Sequence, residues 1–292
     1  MKGIITHTQR MSLHDGPGIR NTIFFKGCNL RCAWCHNPET LSLQPELGWA
    51  ENKCIHCGVC EEKCPQRALS VQGNGIVKKK EACTQCGTCV NECYANAHYL
   101  IGKEYTEDEL CRMMEQDRDI FQRSGGGVTL SGGEPMVQHK FLLVLAQALH
   151  AQGLHVTLQT NLYASWNLYE TILPYIDYLM CDLKHLDSEE HRRWTGQGNK
   201  TILANLHQLD ATGKKYIVRT PVIPGVNNKE EQLRDISHFV SQLHNTEGYV
   251  LLPFHPLAAY KYHNMGIEYE FETIDEIPHE EFATLKEQFE LR

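Results

Sequence analysis

GCNLRCAWCHNPE, Gly27–Glu39, places three cysteines, Cys28, Cys32 and Cys35, within one short loop. Just before it runs IRNTIFFK, Ile19–Lys26, whose β-branched and aromatic residues predict a strand. Three thiols so tightly spaced at a strand's end point to metal rather than disulfides. A loop this short can wrap three corner irons of a four-iron cubane and leave the fourth iron open to another ligand. A zinc site or plain structural thiols are the alternatives at this point.

The other cysteines reinforce metal. The chain has 13; eight form two quartets, at 54, 57, 60, 64 and at 83, 86, 89, 93. C-x2-C-x2-C-x3-C thus occurs twice, 29 residues apart (83 minus 54). Zinc knuckles usually separate their cysteine pairs by a longer gap, so two structural zincs fit less well than two cubanes. The quartets lie between about Gly48 and Gly102, around a Gly/Lys-rich middle, Gly73–Lys80. So short a segment has too little core to be stable alone and needs metal to hold it. Cys111 and Cys181 stand apart and read as packing residues.

Beyond the quartets, helix and strand signals alternate. Thr106 and Glu109 form a capping box before Leu110, Met113, Met114, Ile120 and Phe121 at helical spacing. Strands are predicted at Val128–Leu130, His155–Thr160, Tyr178–Leu183, Tyr216–Ile223 and Tyr249–Pro253. Helices are expected between them: one around Phe141–Leu149 ended by Gly153, one near Leu168 stopping before Pro174, and one around Glu189. Another is expected over Leu203–Leu209, ended by Gly213, and one capped by Asn228 and Glu231 running to about His244. Six strands with crossover helices predict a parallel sheet curved into a partial (β/α)6 barrel, with the chemistry on loops at the strands' C-terminal ends. The expected organisation is an N-terminal part of the barrel with the cysteine loop, 1–47, a two-cluster insert, 48–103, and the rest of the barrel, 104–292.

A net charge of −8 argues against a general nucleic-acid surface. No run of 18 apolar residues suggests a membrane span. Met1–Arg10 has no apolar core of a signal peptide, so a cytoplasmic protein is expected.

HDGPGIRNTIFFKGC (His14–Cys28), SGGGVTLSGGEP (Ser124–Pro135) and then LQTN, CDLK, RTPVIPG and LLPFH follow one another along the chain. Together with the cysteine loop and its aromatic Trp34, this series resembles the activating enzymes of glycyl radical enzymes, within the radical S-adenosylmethionine (SAM) superfamily. The resemblance covers the whole chain. It implies a [4Fe–4S] cluster on Cys28, Cys32 and Cys35 with SAM on its open iron, and hydrogen abstraction from one glycine Cα of a partner enzyme. It further implies SAM contacts from His36, Asn37, Gly132, Gly133, Glu134, Asp182, Lys184, Arg219 and His255, and a peptide contact from Asp15 at the barrel mouth. Thr160, Met180 and Asp182 match a monovalent-cation site; Gln159, where such members have aspartate, offers a carbonyl oxygen but no charge.

The quartets resemble a bacterial two-cluster ferredoxin, in which the fourth cysteine of each run ligates the other cluster. That implies cluster II on Cys54, Cys57, Cys60 and Cys93, and cluster III on Cys83, Cys86, Cys89 and Cys64, for three [4Fe–4S] clusters in all. Pro65 follows the first run as in ferredoxins, while Tyr94 replaces proline after the second. The implied partners are a glycyl radical enzyme and a low-potential electron donor such as flavodoxin or ferredoxin, with a monomeric protein in anaerobic metabolism. Two other readings are a radical SAM enzyme acting on a small molecule and an electron carrier on a barrel scaffold. GPGIR argues against the first, and the set Glu134, Asp182, Lys184 and His255 against the second.

Overall fold

In the computed structural model, which describes residues 1–73, 75–79 and 81–291, the chain folds around one eight-stranded sheet. In chain order the strands are β1 (Lys2–Ser12), β2 (Arg20–Phe25), β3 (Glu46–Trp49), β4 (Leu69–Gln72), β5 (Gly75–Lys78) and β6 (His98–Ile101). They continue with β7 (Lys103–Thr106), β8 (Gly127–Gly132), β9 (Val156–Thr160), β10 (Tyr178–Asp182), β11 (Tyr216–Val222) and β12 (Thr246–Pro253). Positions 74 and 80 of the Gly/Lys-rich stretch lie outside the described residues.

The sheet order is β12-β11-β10-β9-β8-β2-β1-β7. From β2 to β12 every pairing is parallel. These are the six strands expected from the sequence, and the first and last strands of the sheet order are not paired with each other, so the barrel is partial. The antiparallel pair β1 and β7 extends the β2 edge. Neither was expected: β1, KGIITHTQRMS, has no regular alternation and a largely exposed outer half, so its pattern reads as loop.

One face of each parallel strand packs against the helices: Ile23, Leu130, Leu158, Cys181 and Val218 are fully buried in the main core. Because strand side chains alternate, Ser131, Gln159 and Asp182 take the other face, toward the barrel interior. Cys111 and Cys181 are core residues, as expected.

The capping box at Thr106 is present, with Glu109 N–H donating to the Thr106 hydroxyl and Glu109 accepting from Thr106 N–H. The single helix expected after it is two, Glu107–Glu115 and Arg118–Ser124. The break falls at Asp117, whose carboxylate is pulled away to Arg10 and Asn21. Asn228 does not cap the helix Glu230–Ser241. Its side-chain oxygen accepts from Gly225 N–H instead, closing the preceding turn.

Between β2 and β8 the chain leaves the barrel. β3 pairs with β6, Glu46 opposite Ile101, and this two-stranded neck closes off the cysteine-rich segment. Inside it the sequence repeat is also a backbone repeat. Left-handed residues recur at a spacing of 29: His56 and Gln85 (φ 54 and 57), Gly58 and Gly87 (76 and 77), Arg67 and Asn96 (49 and 49). The short helices Val59–Glu62 and Thr88–Asn91 follow the two glycines.

Candidate active site

A cavity of about 330 Å³ opens at the C-terminal ends of β8 to β12. Cys28, Cys32 and Cys35 line it from one side, and the ends of the five strands supply the rest. The cysteine loop is pinned from several directions. Arg31 N–H donates to Thr195 O (2.7 Å) and Ala33 N–H to Trp194 O (3.0 Å). The Asn29 amide donates to Tyr163 O and its oxygen accepts from Asn161. Behind the loop, Trp34 meets Phe271 edge-on in a small second core with Phe254 and Tyr262.

Burial pushes the Cys28 and Cys35 thiols up to about 12, and raises Cys32 against the pull of Lys184. Left alone, these groups stay protonated at neutral pH; a bound metal has to ionise them. Three soft ligands, part-buried together beside a roomy cavity, fit a cluster with one open iron.

Gly132 and Gly133 line the cavity where β8 ends against β2. A Cβ on Gly132, at φ +116, would sit 2.3 Å from the Phe25 backbone; one on Gly133 would sit 2.3 Å from Gly27 O. Only glycine lets this corner pass so close to the strand leading to Cys28.

Glu134 is placed differently from the SAM contact that the resemblance implied. Its carboxylate is 0% exposed and does not line the cavity. It accepts from Asn161 N–H (2.7 Å), the Thr160 hydroxyl (2.9 Å) and Met136 N–H (3.1 Å), tying the end of β8 to that of β9. Burial lifts its pKa to about 7, against the pull of those three donors. Between the ordinary 4.5 and about 7 the folded state therefore binds more protons than the unfolded one. Stability should fall as pH rises through that window, by about 3 kcal/mol in all. Denaturant titrations at pH 5 and pH 8 should show this fall in the wild type and much less of it in Glu134→Gln; an equal fall in both would refute the assignment.

At the end of β10, Asp182 and Lys184 both line the cavity. Arg219 is opposite Asp182 in the register of β10 with β11. Asp182 accepts from Arg219 Nη2 (2.6 Å) and Nε (3.1 Å) on one oxygen, and from Lys184 Nζ (3.1 Å) on the other. Burial alone would raise the Asp182 pKa, but the two cations outweigh it and the net direction is down. For Lys184, burial lowers and Asp182 raises, with the net direction up. Each shift favours the charged form of its group, and the Asp182 carboxylate stands between the Lys184 ammonium and the Arg219 guanidinium. Lys184 also feels Cys32 and Cys28, so its ammonium stands beside the cysteine loop.

Of the three cation-site residues, Thr160 and Asp182 line the cavity, as does Gln159, and Met180 does not. The Thr160 hydroxyl is engaged by Glu134 and Tyr169. Met180 Sδ lies 3.6 Å from Arg219 Nη1, so the guanidinium already occupies the space between Met180 and Asp182. Gln159 accepts from the Ser131 hydroxyl (2.8 Å). Asp182 already stands between Lys184 and Arg219, and neutral Gln159 adds no negative charge.

His36 and Asn37 line the cavity just after Cys35, and His255 lines it after β12, with its Nδ1 3.2 Å from Glu276. Asp15 is elsewhere. β2 runs from Arg20 toward Cys28, so residues before it lie at the opposite end of the barrel from the cysteine loop. There the Asp15 carboxylate accepts from the Ser12 and Thr22 hydroxyls, both at 2.6 Å. Arg20, 0% exposed, donates to Pro17 O, Val128 O, His155 O and the Thr129 hydroxyl. Both hydroxyls bond Oδ2 of the half-buried Asp15, and its other carboxylate oxygen can still accept from a further donor.

In the insert, the structure gathers Cys54, Cys57, Cys60 and Cys93 around one small cavity. Cys64, Cys83, Cys86 and Cys89 surround a second. Each fourth cysteine thus stands with the other run. The two crossing thiols have matching environments: Ala68 N–H donates to Cys64 Sγ and Ala97 N–H to Cys93 Sγ, both at 3.2 Å. Backbone N–H groups aimed at sulfur suit thiolate ligands of iron–sulfur clusters, whose potentials such bonds help set.

A cysteine-loop cavity at the mouth of a partial parallel barrel is the arrangement of a radical SAM protein, and the Radical SAM superfamily profile matches residues 81–236. A 4Fe-4S dicluster domain matches residues 53–107 and a 4Fe-4S single cluster domain residues 14–66. The chain is 38% identical over 281 residues to the (2S)-3-sulfopropanediol dehydratase activating enzyme of Klebsiella oxytoca, covering 93% of this chain and 88% of that protein. It is 38% identical over 298 residues to the 4-hydroxyphenylacetate decarboxylase activating enzyme of Clostridioides difficile (strain CD196), covering 99% and 93%. It is 40% identical over 267 residues to the isethionate sulfite-lyase activating enzyme of Oleidesulfovibrio alaskensis, covering 89% and 86%. Among solved structures, Streptococcus suis SuiB bound to precursor peptide SuiA shares the fold, with a TM-score of 0.50 at 13% identity over 83% of this chain and 40% of that one. The chain belongs to the radical SAM superfamily and, within it, to the activating enzymes of glycyl radical enzymes.

Proposed function

We propose that this protein installs a glycyl radical on a partner enzyme, using SAM at a cluster held by Cys28, Cys32 and Cys35. The observation that carries the reading is the single cavity shared by the three cysteines, the glycine corner and the Asp182–Lys184 pair. When bound, the cluster and SAM supply a reductively generated 5′-deoxyadenosyl radical able to take hydrogen from carbon. The chain's own part is to bind and orient. Lys184 offers an ammonium to a carboxylate beside the cysteine loop, and Gly132 and Gly133 let a ligand approach the backbone. Asp182 favours the charged form of Lys184 and holds both Lys184 and Arg219 in place. His36, Asn37 and His255 bound the cavity on the side away from the sheet's centre. No monovalent cation enters this reading, because Arg219 supplies the positive charge next to Met180 and Asp182.

The insert, 48–103 by its cysteines, is proposed to hold two further [4Fe–4S] clusters, II on Cys54, Cys57, Cys60 and Cys93 and III on Cys83, Cys86, Cys89 and Cys64. They would take electrons from a low-potential donor such as flavodoxin or ferredoxin. The relatives serve a dehydratase, a decarboxylase and a lyase, so they do not single out one partner for this chain. A cytoplasmic monomer is part of the same proposal; no helix among the described residues is long and apolar enough to cross a membrane.

Anaerobically reconstituted protein should contain about twelve irons per chain, from three clusters of four. Mixed with SAM, reductant and a candidate glycyl radical enzyme, it should give a doublet in electron paramagnetic resonance (EPR). The doublet should disappear when the partner's glycine is replaced by alanine. SAM turnover coupled to a small molecule, with no radical on any protein, would overturn the proposal.

A further inference from the structure

The helix Ala259–Met265 lies beyond the last barrel strand, yet it grips the cysteine loop with two adjacent side chains. Tyr262 Oη donates to Cys35 O (3.0 Å). Lys261 Nζ donates to Asn37 Oδ1 (2.7 Å), Glu39 Oε1 (2.8 Å) and His36 O (3.1 Å). An ammonium has three protons, and here each has an acceptor, so its orientation is set. The Lys261 and Glu39 side chains are only 18% and 14% exposed, which spares the pair much of the screening that weakens surface ion pairs. Glu39 is itself anchored. Its carbonyl accepts from Lys26 Nζ (2.7 Å), a fully buried lysine whose ion partner, Glu46 of β3, lies at 2.8 Å.

We propose that Lys261 is a positioning residue for SAM, acting through Asn37; this rests on the reading of the cavity given above. His36 and Asn37 are the cavity's wall immediately past the third cysteine. An asparagine amide can present either its oxygen or its nitrogen, and only its bonds decide which. Lys261 draws the oxygen toward its ammonium, so the Nδ2 protons are what the amide turns the other way. That matches the ring nitrogens of a purine, which are acceptors. Without Lys261 the amide is free to flip and the loop loses its link to the C-terminal helix.

The test uses reconstituted holoprotein. SAM affinity is titrated through the change in the reduced cluster's EPR signal, and iron content is measured alongside. Lys261→Met keeps the apolar stem and removes the charge. It should weaken SAM binding about tenfold or more, the effect of losing a charged hydrogen bond. At saturating SAM, turnover should move much less. Lys261→Arg should recover most of the affinity. Adding Asn37→Ala to Lys261→Met should cost little further, since both changes disable one contact. Asn37→Asp covers the case in which Lys261→Met does not hold its iron: it strengthens the pair with Lys261 but removes the donors, and should weaken SAM binding about as much. Normal SAM affinity in Lys261→Met or Asn37→Asp, or fully additive losses in the double variant, would overturn the assignment. Wild-type protein that binds no SAM at all would instead defeat the reading of the cavity on which it rests.

Discussion

Replacing Cys28, Cys32 and Cys35 together by alanine is expected to reduce 5′-deoxyadenosine formation from SAM to background while leaving about eight of about twelve irons in place. The selectivity follows from the fold. The three thiols share one cavity, and no other cysteine lines it. The eight cysteines of the insert surround two separate cavities inside a segment closed by its own neck, β3 with β6. The loop has anchors besides its thiols, because Arg31, Ala33 and Asn29 bond to backbone carbonyls beyond β9 and β10. The variant should therefore fold and still reconstitute its insert. Iron analysis and product assay on the same preparation decide the matter. Continued 5′-deoxyadenosine formation would place the reactive cluster elsewhere. Loss of nearly all iron would show that the insert needs the cluster loop, by way of the Lys26–Glu46 pair.

Asp182→Asn is expected to be the most damaging single substitution in the cavity. It would leave Arg219 and Lys184, 6% and 8% exposed, as uncompensated cations facing each other. Breaking a buried pair by removing one partner typically costs about 3–5 kcal/mol. Denaturant unfolding at neutral pH should show a loss of that order, and SAM binding should weaken with it. Lys184→Met should cost less stability, because Asp182 keeps its two bonds from Arg219. Its effect should fall on SAM affinity instead. The sign with pH is also set. Asp182 is depressed below its ordinary value of 3.8, so its contribution is present above that value and lost as pH falls through the lower, folded one. Lys184 is raised above 10.5, so its contribution is present below that and lost as pH climbs through the higher one. Neutral pH lies between, where the whole triad is charged. If Asp182→Asn were as stable as the wild type there, the triad would contribute nothing to holding β10 against β11.

Much of the site could be read from the chain because its signals are local. Cys28, Cys32 and Cys35 lie within one loop, and the two quartets repeat within one segment, so their spacing points to metal and their resemblance to known motifs names the cluster type. The six parallel strands were legible for a similar reason: Ile23, Leu130, Leu158 and Val218 sit in runs that are apolar on the helix-facing side. Glu134 shows what local signals leave open. Its place in SGGEP suggests a ligand contact, but the choice between ligand and Asn161 N–H depends on how β9 lies beside β8. For Asp15, likewise, the direction of β2 decides which end of the barrel it occupies.

The sequence by itself thus pointed to the class of chemistry, the grouping of the cysteines into one loop and two quartets, and the six parallel barrel strands, because each is written in contiguous residues or short repeats. Only the tertiary structure decided which charges meet. Arg219 reaches Asp182 across a strand pairing, 37 positions apart in the chain, and Lys261 reaches Asn37 across 224. Contacts of that separation leave no periodicity in a single sequence. They exist because a parallel sheet brings the C-terminal ends of its strands to one mouth, and because the helix after β12 has the cysteine loop as its neighbour there.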